Sequence, residues 1–117
     1  MFGLPKNDVE TLLDEIIDTL KEYFGDKITS SFTINEMTDT PYLMFNFSFI
    51  MYDFFNVVFN YDRGYFGCYI VVGDKKIPIR SSQEWFEQAD MKVFCKELEE
   101  QLELRIPDKF LEYHGWK

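Results

Sequence analysis

One histidine, His114, two cysteines, Cys68 and Cys95, and the carboxylates Glu97, Glu99, Glu100 and Glu103 are the residues with chemistry in reach. A histidine becomes a general base when a nucleophile or an orienting carboxylate stands beside it. His114 has no Ser or Cys placed by the sequence to use it, and it reads as a surface residue. Cys68 falls on the inward side of an alternating strand and Cys95 on a helix, so both read as small core residues. No CxxC, HExxH or calcium-loop spacing occurs, and neither a metal nor a cofactor is expected. The run Asp62-Arg63-Gly64-Tyr65-Phe66-Gly67 has spaced glycines, but between strands rather than at a strand-to-helix turn. The four glutamates read as a solvated helix face, without the burial that tunes a carboxylate for acid–base work. No catalytic residue is assigned, and the chain is not expected to be an enzyme.

Binding is better served. Tyr42, Tyr65 and Tyr69 alternate along predicted strands with Asn46, Asn56 and Asn60 on the same outward side. Tyr and Asn combine large contact area with adaptable hydrogen bonding, which suits an interface. Asp53 and Asp62, with Asp39 and Asp74, tip the turns between strands; as turn formers they have a local reason to be there too. A third set, Asp14, Glu15 and Asp18, belongs to a helix whose exposed side is nearly all acid: Asp8, Glu10, Asp14, Glu15, Asp18 and Glu22 against Lys21. A solvated face ordinarily mixes signs. These three sets are the expected partner-binding residues.

The elements that position them follow from hydrophobic period. Val9, Leu12, Leu13, Ile16, Ile17, Leu20 and Phe24 recur at three- and four-residue spacing, which predicts a helix over 8–24, opened by Asn7 with Glu10 and stopped at Gly25. The period then becomes two. Ile28, Ser30, Phe32 and Ile34 predict a first strand, and 36–41 a turn. Leu43, Phe45, Phe47, Phe49 and Met51 predict the inward side of a second strand, and Phe55, Val57, Phe59 and Tyr61 that of a third. Phe66, Cys68, Ile70 and Val72 continue it after the Asp62-Arg63-Gly64 hairpin turn. A short strand through Ile77 and Ile79 follows, marked as an edge by Pro78, which lacks a ladder donor. Ser81 with Glu84 predicts a helical start, with Trp85, Phe86, Ala89, Val93, Phe94, Leu98 and Leu102 on one stripe and a fresh cap at Asp90. Pro107 ends that helix or begins a short one through Phe110, Leu111 and Tyr113, stopped at Gly115. The expected fold is α+β: a five-stranded antiparallel meander sheet with an N-terminal helix and C-terminal helices packed on one face, as a single domain over 1–117.

Composition agrees. Thirteen Phe, seven Tyr and two Trp make 19% aromatic residues, which favours a bulky sheet-based core. With 117 residues, roughly two-thirds of the unfolded surface should be buried without staples. Twelve basic against 21 acidic side chains leave a net charge of −9, which repels nucleic acid and anionic lipid and favours a basic partner. The apolar stretch 42–61 is interrupted by Asn46, Ser48, Asp53, Asn56 and Asn60 and has a period of two, so two strands are expected rather than a membrane span. Few cysteines and an opening that reads as a mature start predict a reduced, cytoplasmic protein.

The size, the acidity and the order of helix (Asn7–Gly25), meander (Ile28–Ile79) and helices (Ser81–Gly115), with the ending Arg105-Ile-Pro-Asp-Lys-Phe-Leu-Glu-Tyr-His-Gly-Trp116, resemble the immunity proteins of bacterial contact-dependent growth inhibition and related polymorphic toxin systems. That resemblance implies a cytoplasmic monomer or weak dimer that binds the C-terminal domain of a cognate toxin, often a basic nuclease. It would block the toxin's active site by mimicking phosphate charge. It assigns no residue a role. An acidic adaptor or secretion chaperone for another protein is the second expectation, and a small-ligand or enzymatic domain the third.

Overall fold

The computed structural model describes residues 8–117. Helix α1 spans Asp8–Phe24 as the period predicts, and Gly25 follows it at φ 57°. The expected cap residue, Asn7, lies outside the described residues. Strands β1 (Thr33–Thr38), β2 (Met44–Met51), β3 (Phe55–Asp62), β4 (Tyr65–Val72) and β5 (Lys75–Pro78) form an antiparallel meander in sequence order. A two-residue strand β6 (Glu84–Trp85) adds to β4, and helices α2 (Met91–Glu103) and α3 (Asp108–Tyr113) complete the chain. The α+β class and the one-sided helical layer are as expected.

Register explains the two faces. Phe45 pairs with Tyr61, Phe47 with Phe59 and Phe49 with Val57, so one side of β2 and β3 is a continuous aromatic floor. Phe59 stacks on Phe47 at 5.1 Å and on Phe66 of β4 at 5.4 Å, and it meets the ring edge of Phe94 from α2. Val9, Leu13, Ile16 and Leu20 of α1 and Phe94, Leu98 and Leu102 of α2 close over that floor. In the three-residue connection from β2 to β3, Tyr52 and Asp53 both have positive φ, the mirror-image geometry that matches strand twist. Tyr52 enters the left-handed region because its side chain is wholly buried and its hydroxyl donates to Glu103 at 2.6 Å.

Three stretches depart from expectation. The first strand begins at Thr33, not Ile28, and extends to Thr38 into the expected turn. Over 28–30, side-chain hydroxyls stand in for ladder groups: the Ile50 N–H donates to Ser30 Oγ at 2.8 Å and the Asp53 N–H to Thr29 Oγ1 at 2.9 Å. The second strand starts at Met44 rather than at Tyr42. The segment after Ser81 is not helical: Gln83 has φ 63°, Glu84–Trp85 pairs with Tyr65 and Phe66, and only a single 3₁₀ turn (Phe86–Gln88) precedes α2. What displaces the helix is Ser82, buried with its hydroxyl donating to the Ile79 carbonyl at 2.6 Å, and the Phe86 N–H, which donates to the Gly64 carbonyl at 2.8 Å. Asp90 then caps α2 through the Lys92 and Val93 N–H groups, as its position predicts. Trp85 and Val93, expected on the core stripe, are exposed, as are Tyr113 on α3 and Val72 at the end of its strand.

The glutamates of α2 also need correcting. Glu100 is exposed, but Glu97, Glu99 and Glu103 are half-buried with specific partners. Lys27 pairs with Glu99 at 2.8 Å and with Glu103 at 3.6 Å, tying the end of α1 to α2. Burial pushes the Lys27 ammonium down, and the hydrogen bonds and charges of Glu99 and Glu103 together outweigh that and raise it. Glu97 accepts the Arg80 N–H at 2.7 Å and the Ser81 N–H at 2.9 Å, fastening the β5–β6 connection to the helix. Burial pushes the Glu97 carboxyl up, but the donors from Ser81 and Arg80 win and hold it below its ordinary range. Its contribution is therefore present above the unfolded carboxylate pKa and lost as pH falls through the lower folded value. Glu97→Gln should cost about 1 kcal/mol at neutral pH, less than a buried charged hydrogen bond contributes because solvent reaches the group. Urea midpoints followed from pH 7 towards pH 3 should show a smaller acid-side loss for the variant; equal slopes would remove Glu97 from the acid limb.

Candidate functional site

All three helices pack on the same side of the sheet, leaving the other side uncovered among the described residues. Every tyrosine and asparagine singled out from the sequence, except Tyr42 just ahead of β2, lies in a strand on that open side. Its central row is an amide ladder. Asn35 donates from Nδ2 to Asn46 Oδ1 at 2.9 Å, and Asn46 donates from Nδ2 to Asn60 Oδ1 at 3.2 Å. Asn46 and Asn60 are direct register partners, whereas Asn35 sits in a bulge between Ile34 and Glu36. A bulge re-aims the side chain it carries, which here joins Asn35 to the row.

Beyond Asn60 the row reaches Gly67, its partner on β4, and there the strand is overlaid by Gln83. A Cβ at position 67 would stand 2.7 Å from Gln83 Nε2, so the Gln83 amide lies directly over the glycine and would have to swing aside for any larger residue. Tyr65 donates its hydroxyl to the Gln83 carbonyl and holds that loop down. Asn46, Asn60, Tyr65, Gly67, Tyr69 and Gln83 together enclose a shallow recess of about 290 Å³. The polarity of the ladder leaves the Asn60 amide nitrogen as a hydrogen-bond donor at this end, suited to a carbonyl or carboxylate.

At the end of the sheet bearing the β3–β4 turn, the aromatic side chains gather. Trp85 is 51% exposed and meets Tyr65 edge to face at 5.7 Å. Arg63 lies over the Tyr42 ring at 4.6 Å while its guanidinium pairs with Asp62 at 2.7 Å. Tyr69, further along β4, carries Lys76 above its ring at 4.9 Å. Apolar area, two cations held over rings and bonded polar groups are thus side by side on one face of the sheet.

The predicted residues divide between separate surfaces. Asn46, Asn60, Tyr65 and Tyr69 share the recess, and Tyr42 and Asp62 stand by the aromatic end. Asn56, opposite Ile50 and Val71, and Asp53 in the adjoining turn lie towards the other end of the strands. Asp14, Glu15 and Asp18 are on α1, behind the sheet. Asn35, Arg63, Gln83 and Trp85 were not singled out. Gly67 inside a strand was the available signal for Gln83, because a strand glycine marks a close approach. The apparent capping box at Ser81 hid Trp85 by placing it on a helix.

Cys68 and Cys95 are free, buried thiols; burial raises both, Cys95 to about 12, so neither is a ready nucleophile. Among the described residues, no three His, Cys, Asp or Glu side chains are grouped to hold a metal, and no helix is long and apolar enough to cross a membrane. In comparisons with known proteins, no family model, no curated protein and no solved structure matches the chain.

Proposed function

We propose that this protein is a stoichiometric inhibitor of the immunity type, working in the cytoplasm and neutralising a cognate, basic toxin domain by covering its active site. The observation that supports this is the open sheet face, where Trp85, Tyr65, Tyr42 and Arg63 cluster beside a bonded amide row. Trp, Tyr and Arg are the residue types that dominate binding energy at protein interfaces. They need a rigid platform, and the aromatic core beneath β2, β3 and β4 supplies one. The net charge of −9 steers a basic domain towards the surface from a distance, and short-range contacts on the sheet then decide whether it stays.

Titrating the purified protein into the toxin domain encoded beside it measures this directly. Activity should fall linearly to near zero at about one equivalent, as tight one-to-one binding requires. Full toxin activity at and beyond equivalence would reject the reading.

A further inference from the structure

The polar sheet face and the acidic side of α1 point away from each other, yet they adjoin along one line, the outer edge of β1. Between α1 and residues 28–34 runs a groove of about 580 Å³. Ile17, Phe32 and Ile34 supply its apolar lining, and Asp14 and Asp18 stand on its helix wall. Lys21 also borders it, held over the Phe32 ring at 5.7 Å. On the opposite side of the same strand, Asn35 heads the amide ladder.

The two edges of the sheet are finished differently. β5 carries Lys75, Lys76 and Pro78, charge and a missing donor of the kind that blocks strand addition. β1 reads Thr-Ile-Asn-Glu-Met-Thr, with Glu36 as its one charge and the Ile34–Glu36 bulge as its one irregularity. Ile34 and Met37 are each 42% exposed. Among the described residues no strand pairs with its outer side. In an antiparallel pair, alternate residues turn N–H and C=O away from the partner strand, so β1 offers an outward row of unpaired backbone groups.

We propose that β1 receives an extended, basic segment of the partner as an added strand. This rests on the binding function proposed above and names the partner's contacting segment. In an added strand, side chains alternate between the two sides of the sheet. Apolar residues on the helix side fill the groove against Ile17, Phe32 and Ile34. Lys or Arg on that side reaches Asp14 and Asp18, and on the other side it meets Glu36. Main-chain pairing supplies affinity and the charged, apolar-lined groove supplies selection. Charge chooses the occupant: a second copy would bring a like net charge of −9 and another Glu36 to the same line, whereas a basic strand meets carboxylates on both sides.

The test uses the full chain, the toxin domain encoded beside it, and two synthetic peptides of roughly ten residues. One peptide alternates Val with Lys, the other Val with Glu. Backbone amide exchange and chemical shifts are followed with each peptide, and toxin affinity and sedimentation are measured for wild type and for Ile34→Lys with Met37→Lys. Both substituted side chains are already substantially exposed, and an unchanged amide spectrum outside β1 verifies the fold of the variant. Slowed exchange of about tenfold at Thr33–Thr38 with the Lys peptide alone, and an affinity loss of at least about tenfold in the variant, are expected. Undiminished affinity of the folded variant for a toxin domain that wild type binds would overturn the edge proposal and leave the immunity reading standing. A wild-type dimer that the variant dissolves would also overturn it, with a second copy as the occupant. If wild type ignores the toxin domain while the Lys peptide protects Thr33–Thr38, the immunity reading fails and the basic-strand site stands.

Discussion

Phe59→Ala should lower the stability of this domain by about 3–5 kcal/mol, the usual cost of emptying a large aromatic site in a close-packed core. Phe59 is fully buried at the middle of β3, and its ring is shared between the sheet and the helical layer: Phe45, Phe47 and Phe66 on the strands, Phe94 on α2. Neighbours on a pleated sheet are pinned by their ladders, so the hole collapses poorly and its lining loses dispersion contacts outright. Domains of this size hold about 5–15 kcal/mol in all, so this single change removes a large fraction of the total. The urea midpoint reports the loss, provided the slope of the transition is unchanged. Phe59→Leu keeps most of the volume and should lose markedly less. A loss under about 1 kcal/mol for Phe59→Ala would mean the aromatic floor is not the keystone its geometry indicates.

The second large effect is on binding. Trp85→Ala with Tyr65→Ala should weaken binding of the cognate toxin domain by about 2–4 kcal/mol, or roughly 30- to 1,000-fold, as truncation of central aromatic anchors does. Both side chains are exposed and lie on the side of the sheet away from the helices, so the urea midpoint should change little. Tyr65 also holds the Gln83 carbonyl, and Trp85→Ala alone separates anchoring from any loosening of that loop. The contrasting variant reverses Asp14, Glu15 and Asp18 to Lys. Its expected signature is a slower association rate and a flatter salt dependence with a smaller change in dissociation, because rim charge acts mainly on encounter. Calorimetry and stopped-flow binding distinguish the two patterns. Wild-type affinity in the Trp85/Tyr65 double variant would move the interface off the aromatic end of the sheet.

How much of this was legible without coordinates depended on the range of the interaction. The period-two alternation from Leu43 to Val72 sorted inward from outward residues almost throughout, because burying one side of a sheet leaves no freedom of register. It placed Tyr65, Tyr69, Asn46 and Asn60 on the open side, where they are. Local capping chemistry was equally readable at Asp90 and Gly25. Misreadings arose where a contact distant in sequence overrode a sound local signal. Ser81 and Glu84 satisfy a capping pattern, but Ser82 is held by the backbone of Cys68 and Ile79, and Trp85 is drawn into pairing with Tyr65. Glu97, Glu99 and Glu103 have the spacing of an exposed helix face. Their partners, the Arg80–Ser81 backbone and Lys27, arrive from elsewhere in the chain.

The sequence by itself determined the class of fold, the faces of β2, β3 and β4, the extent of α1, the acidic balance and the buried character of both thiols. Each of these follows from composition or from a period of two or of three to four residues, signals carried by neighbours along the chain. Tertiary structure alone decided that Asp53 and Asn56 lie apart from the recess shared by Asn46, Asn60, Tyr65 and Tyr69. It also decided that Trp85 joins the sheet face, that Gln83 overlays Gly67, and that β1 is the edge where that face and the acidic side of α1 adjoin. Those outcomes depend on how helices and strands are laid against one another. Sequence spacing has no term for that, since it places each side chain relative to its own element and not to the next.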